Sequence, residues 1–141
     1  MGTEEEIDRL MQAAVDAGLE GLDFAQRFDY ATIAREYNGI GPEYSNAALR
    51  NRATALFVLF EPAAVIHDLR FFMADGTRKA FNYANMEFHE NCLKLADRAY
   101  PFWSWKRYRA RAVAHALYDI LRGPAGWQAW QDASAKSFAN Q

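Results

Sequence analysis

The stretch Pro62-Ala63-Ala64-Val65-Ile66-His67-Asp68-Leu69-Arg70-Phe71-Phe72 reads as an apolar helix with a His-Asp pair in its middle. Pro62 suits the first turn of that helix, where its missing N–H costs nothing. Ala74-Asp75-Gly76 closes it near Met73, and Thr77 or Asp75 can cap the next helix. Helix neighbours point about 100° apart, so His67 and Asp68 must serve different partners. One candidate lies upstream, in the turn Tyr37-Asn38-Gly39-Ile40-Gly41-Pro42; the other lies downstream, at Ala84-Asn85-Met86-Glu87-Phe88.

Moving outward, residues 78–98 carry the cleanest helical pattern. Phe81, Asn85, Phe88, Cys92, Leu95 and Ala99 recur at spacings of four and three, one stripe interrupted by a single amide. Pro101 ends it, and Phe102, Trp103 and Trp105 follow as an aromatic knot. A sixth helix is expected from Ser104 to Leu121, with arginines on one side and Val113, Ala116, Leu117 and Ile120 on the other. A short seventh around Gly126 to Ser137 sets Trp127 and Trp130 one turn apart. Toward the N-terminus, Thr3 and Glu6 form a capping box for a helix through Ile7, Leu10, Met11, Ala14 and Val15, ended by Gly18. Leu22 to Glu36 reads as one helix, and a third starts at Ser45 or Asn46 and runs to Phe60. No strand pattern, repeat or linker appears. The fold class is all-α.

At 141 residues the chain is expected to form one domain with one core. Its formal net charge of −2 removes the main electrostatic prior for a nucleic-acid partner. The lone Cys92 excludes an intramolecular disulfide, and in an apolar stripe it reads as an inert core thiol. The acidic opening Met1-Gly2-Thr3-Glu4-Glu5-Glu6 does not resemble a secretory leader, and no apolar run spans a bilayer. A soluble, cytoplasmic protein is the expectation.

Tyr37-x-Gly39-x-Gly41, the helix with His67-Asp68 and the helix with Ala84-x-x-x-Phe88 together resemble the phospholipase A2 superfamily. The likeness is to its small disulfide-free members, of the bacteriophage and parvoviral kind, and covers residues 37–92. It implies two antiparallel central helices with further helices at each end. It also implies a calcium ion held by the carbonyls of Tyr37, Gly39 and Gly41 and the carboxylate of Asp68. His67 would be the general base that takes a proton from water, and calcium would hold the ester oxyanion. The family's HDxxY and ADxxF patterns place a tyrosine at 71 and an aspartate at 85. Here those positions hold Phe71 and Asn85. The hydroxyl has gone together with the carboxylate it would bind, and Asn85 can orient His67 without stabilising an imidazolium.

The expected activity is calcium-dependent phospholipid ester hydrolysis, weakened or lost. The rival is a non-catalytic helical binding module on the same scaffold, which would use Pro101 to Arg111 against a protein or a membrane. Asn85 reads equally well as a core amide capping a neighbouring helix end. His89 and His115 stand alone, with no cysteine or carboxylate at ligand spacing, so no zinc site is expected. The basic run Lys106–Arg111 reads as a solvated face, and the tryptophans read as core and helix-contact residues.

Overall fold

The computed structural model describes residues 3–37 and 47–139, with side chains from residue 56 onward in the second stretch. The described residues form seven helices and no strand: α1 (Glu4–Ala17), α2 (Leu22–Ala25), α3 (Tyr30–Glu36), α4 (Ala47–Phe72), α5 (Arg78–Ala99), α6 (Trp105–Leu121) and α7 (Pro124–Ala139). The all-α expectation holds.

Local chemistry sets the helix ends. Thr3 Oγ1 accepts from the Glu6 N–H, Thr77 from that of Ala80 and Ser104 from that of Lys106, each filling an orphan donor of a first turn. Gly18 closes α1 at φ 63°, a left-handed conformation that suits a residue without a Cβ.

Residues 22–36 differ from expectation, for they form two helices instead of one. The break falls at Asp29, whose carboxylate accepts from the Thr32 N–H at 2.7 Å and starts α3. A residue able to bond its own downstream backbone is a better cap than a helix interior. α4 also differs, since Pro62 lies inside one 26-residue helix and starts no new one. Proline removes one bond, to the Val58 carbonyl, and normally strains the turn before it. Here Leu56, Phe57, Phe60 and every residue from Pro62 to His67 are buried, and that packing offsets the lost bond so that the helix continues through Pro62.

α5 packs most extensively against α4 and α6. Only residues 73–77 join α4 to α5. A link that short reaches about 20 Å, while α5 is roughly 33 Å long, so neighbours in side-by-side contact must run antiparallel. The α5 stripe is buried from Phe81 to Leu95, with Ala96 and not Ala99 as its last member. On α6 the buried stripe is Ala110, Ala114, Leu117 and Leu121. Ala116 and Ile120 face outward, against expectation, because three- and four-residue spacing through small alanines lets α6 approach α5 closely.

The main core lies between α1, α3, α4, α5 and α6; a smaller one gathers Ala74, Phe81, Ala84 and Trp130 beneath α7. Gly126 is required where α7 turns back on α6. A Cβ there would overlap the Leu121 carbonyl and lie 2.7 Å from its carbon. α7 begins at Pro124, earlier than expected, because proline is preset for the first helical position.

Candidate functional site

Three arrangements carry chemistry. The first is the pair expected from sequence. His67 on α4 and Asn85 on α5 are joined by Nε2···Oδ1 at 2.9 Å, and both are buried. An amide oxygen only accepts, so the proton sits on Nε2 and Nδ1 is the basic nitrogen. The same amide donates through Nδ2 to the Leu121 carbonyl at 3.4 Å, in the last turn of α6. Asn85 therefore orients the imidazole and caps a helix end at once. Phe71 and Phe88 flank the imidazole, with ring centroids at 4.8 and 5.0 Å. Burial pushes its pKa down to about 4, against the opposing pull of the Asn85 bond. His67 is neutral at pH 7, fixed in one tautomer and enclosed.

Asp68 turns to the other side of α4, as neighbouring positions require. It lies near Tyr37, whose hydroxyl donates to Glu61 Oε1 at 3.0 Å. Burial first, then the charges of Glu61 and Asp68, hold that phenol well above its ordinary range. The charge of Asp68 thus reaches the Tyr37 phenol. Gly39 and Gly41 lie outside the described residues. Oxygen donors of this kind suit a hard cation. No group of three or more His, Cys, Asp or Glu that could hold a metal occurs among the described residues.

The second arrangement was not anticipated. Glu87 on α5, with a side chain only 2 % exposed, takes a two-pronged bond from Arg70 on α4 (Nε–Oε1 3.0 Å, Nη2–Oε2 2.9 Å). The guanidinium also lies 3.9 Å over the Phe24 ring. Arg70, Phe24, Met73, Tyr83, Met86 and Trp130 line a cavity of about 620 Å³. Periodicity could place Arg70 and Glu87 on facing helices, but nothing in a charged residue type marks Glu87 as buried.

The third is at the surface. Phe102, Trp103, Trp105 and Tyr108 are 69, 75, 65 and 65 % exposed, which corrects the expectation that Trp103 and Trp105 belong to the core. Pro101 ends any helical continuation; Phe102 and Trp103 lie in the turn 101–104, and Trp105 and Tyr108 lie in the first turn of α6. Trp130 is buried and Trp127 half-buried, as expected. Residues 97–111 carry five cations (Arg98, Lys106, Arg107, Arg109 and Arg111) against one anion, Asp97. Asp97 binds Arg107 and Arg111 at 2.9 and 2.8 Å, which fixes two cations beside the rings. This face is aromatic and basic in a chain whose net charge is negative.

His89 and His115 also depart from expectation, since α5 and α6 bring them into contact. Cys92 is buried and its thiol is pushed up by desolvation, as an inert core residue should be. No helix among the described residues is long and apolar enough to cross a membrane. No protein-family model, curated protein or solved structure matches the chain.

Proposed function

We propose that this chain is a helical binding module that docks on an anionic phospholipid surface through residues 101–111. The observation that carries the reading is the exposure of four aromatic side chains within residues 102–108, beside a local excess of cations. Exposed large aromatics in one cluster favour a partner that removes them from water. Tryptophan and tyrosine suit the headgroup region, where a ring can be apolar on one end and wet on the other. Each cation near an anionic membrane adds about 1 kcal/mol of attraction. Neither group needs a pocket, which fits a flat face at the start of a helix.

The test is co-sedimentation with phosphatidylcholine vesicles, with and without phosphatidylserine. Wild type should bind the anionic vesicles, release them in high salt and show a blue shift in tryptophan emission. The double change Trp103→Ala and Trp105→Ala should weaken partitioning by about a hundredfold, since each ring contributes on the order of 1.5 kcal/mol when withdrawn from water. Equal binding by the double variant, or none by wild type, refutes the reading.

A second reading, calcium-dependent phospholipid ester hydrolysis on a phospholipase-A2-like pair of helices, is favoured by the His67–Asn85 bond and the nearness of Asp68 to Tyr37. Calcium would supply polarisation of the ester carbonyl, with Tyr37, Gly39, Gly41 and Asp68 as its holders. Nδ1 of His67 would take the proton from water, and Asn85 would keep the tautomer. That role needs the enclosed imidazole to open to water. On the same vesicles, fatty-acid release that requires calcium and is abolished in His67→Ala is the expected result for an enzyme. Release independent of both leaves only the docking role.

A further inference from the structure

His89 and His115 sit 26 positions apart in sequence, on α5 and α6, yet His89 Nε2 and His115 Nδ1 are 2.6 Å apart. The imidazoles are tilted by 53° with centroids 4.6 Å apart, and the His89 ring stacks on Tyr118 at 4.5 Å and 10°. His89 is half-buried and His115 is exposed, so the pair can be reached from solvent. Two nitrogens at that distance share one proton, which leaves a lone pair aimed at the neighbouring ring. Stacking on Tyr118 limits how far His89 can rotate away. Charged neighbours of both signs act on the pair, with Glu90 and Asp119 favouring a cation there and Arg111 opposing it.

We propose that His89 and His115 form a surface site for a divalent transition-metal ion, which takes the place of the shared proton and ties α5 to α6. Imidazole nitrogens bind such ions at about 2.0–2.1 Å. At that length, cis ligands at right angles stand about 2.9 Å apart, and tetrahedral ones about 3.3 Å. The observed pair needs only a few tenths of an ångström of opening for the right-angled geometry of copper(II) or nickel(II), and more for tetrahedral zinc. With no third His, Cys, Asp or Glu converging among the described residues, water fills the other positions. The site is therefore open, and its affinity is modest.

The test is calorimetric titration of the full chain with nickel chloride at pH 7.5, using wild type, His89→Gln and His115→Gln, each checked for helicity. Wild type should take up one equivalent, and each variant should bind about tenfold more weakly or not at all, because one imidazole is a poor site alone. A second measurement does not depend on the variants folding. Electron paramagnetic resonance of copper-loaded wild type should show two histidine nitrogens on the ion. Absence of saturable binding to wild type, undiminished affinity in either folded variant, or fewer than two histidine nitrogens on copper overturns the site.

Discussion

Between pH 7 and pH 4 the protein is expected to lose on the order of 3 kcal/mol of stability through His67 alone. The folded imidazole titrates near 4, against 6.5 for an unperturbed histidine. Below pH 6.5 the unfolded chain therefore takes up a proton that the folded one refuses, and acid favours unfolding. The contribution is complete above about pH 6.5 and declines by roughly 1.4 kcal/mol per unit until the folded group titrates as well. His89 adds in the same direction, because burial and the neighbouring His115 hold it low. Asp29 and Asp75 are held below their ordinary 3.8 by bonds to Thr32 and Thr77, so their effect falls at lower pH. The measurement is urea unfolding from pH 7 to 4 in wild type and His67→Gln. Glutamine keeps a donor for Asn85 but does not titrate, so its stability should fall less steeply. Parallel slopes for the two proteins would show that the buried imidazole is not the acid-sensitive group.

Arg70→Met is expected to cost about 3–5 kcal/mol, the largest effect foreseen for any single change here. The carboxylate of Glu87 is almost wholly removed from water and depends on the guanidinium for two of its bonds. Methionine fills the volume of the stem and leaves that charge uncompensated. Gly21 closes on the carboxylate from the other side, where a Cβ would stand 2.7 Å from Glu87 Oε2. The double change Arg70→Met with Glu87→Met should recover most of the loss, since apolar groups of similar volume often substitute for a buried pair. Chemical denaturation of both single variants and the double closes the cycle. A single variant within about 1 kcal/mol of wild type would mean that Glu87 is solvated or protonated after all.

The parts legible in sequence were those written in local chemistry. Thr3, Thr77 and Ser104 announce their helices because a capping hydroxyl acts on backbone only two or three residues away. The α5 stripe from Phe81 to Leu95 was legible because large apolar side chains mark a face without ambiguity. The face of α6 is hidden for the converse reason: it is partly alanine, and Ile120 outweighs Ala110 on apolarity alone. Pro62 points to a helix start because proline looks the same in a first turn and in a buried interior. The His67–Asn85 partnership is what the resemblance to the HDxxY and ADxxF patterns implies, and the two side chains stand 2.9 Å apart. The pairs His89–His115 and Arg70–Glu87 leave no mark in sequence, because the partners meet only through the helix packing. Apolarity alone points Trp103 and Trp105 inward, whereas the turn after Pro101 and the exposed start of α6 leave both in solvent.

Asn91 links these packing details to the order in which the chain assembles. Its amide, wholly buried on α5, accepts from the Glu20 N–H at 2.7 Å and donates to the Glu20 carbonyl at 3.0 Å, across 71 residues. Lys94, one turn along, reaches the Gly18 carbonyl and the Glu20 side chain. The contacts of α4 with α5 and of α5 with α6 join neighbours in sequence and so close short loops, which form early and fast. Seating the segment after α1 has to wait for a far larger loop. That segment is therefore expected to dock last, and hydrogen exchange at the amide proton of Glu20 is the measurement that follows it.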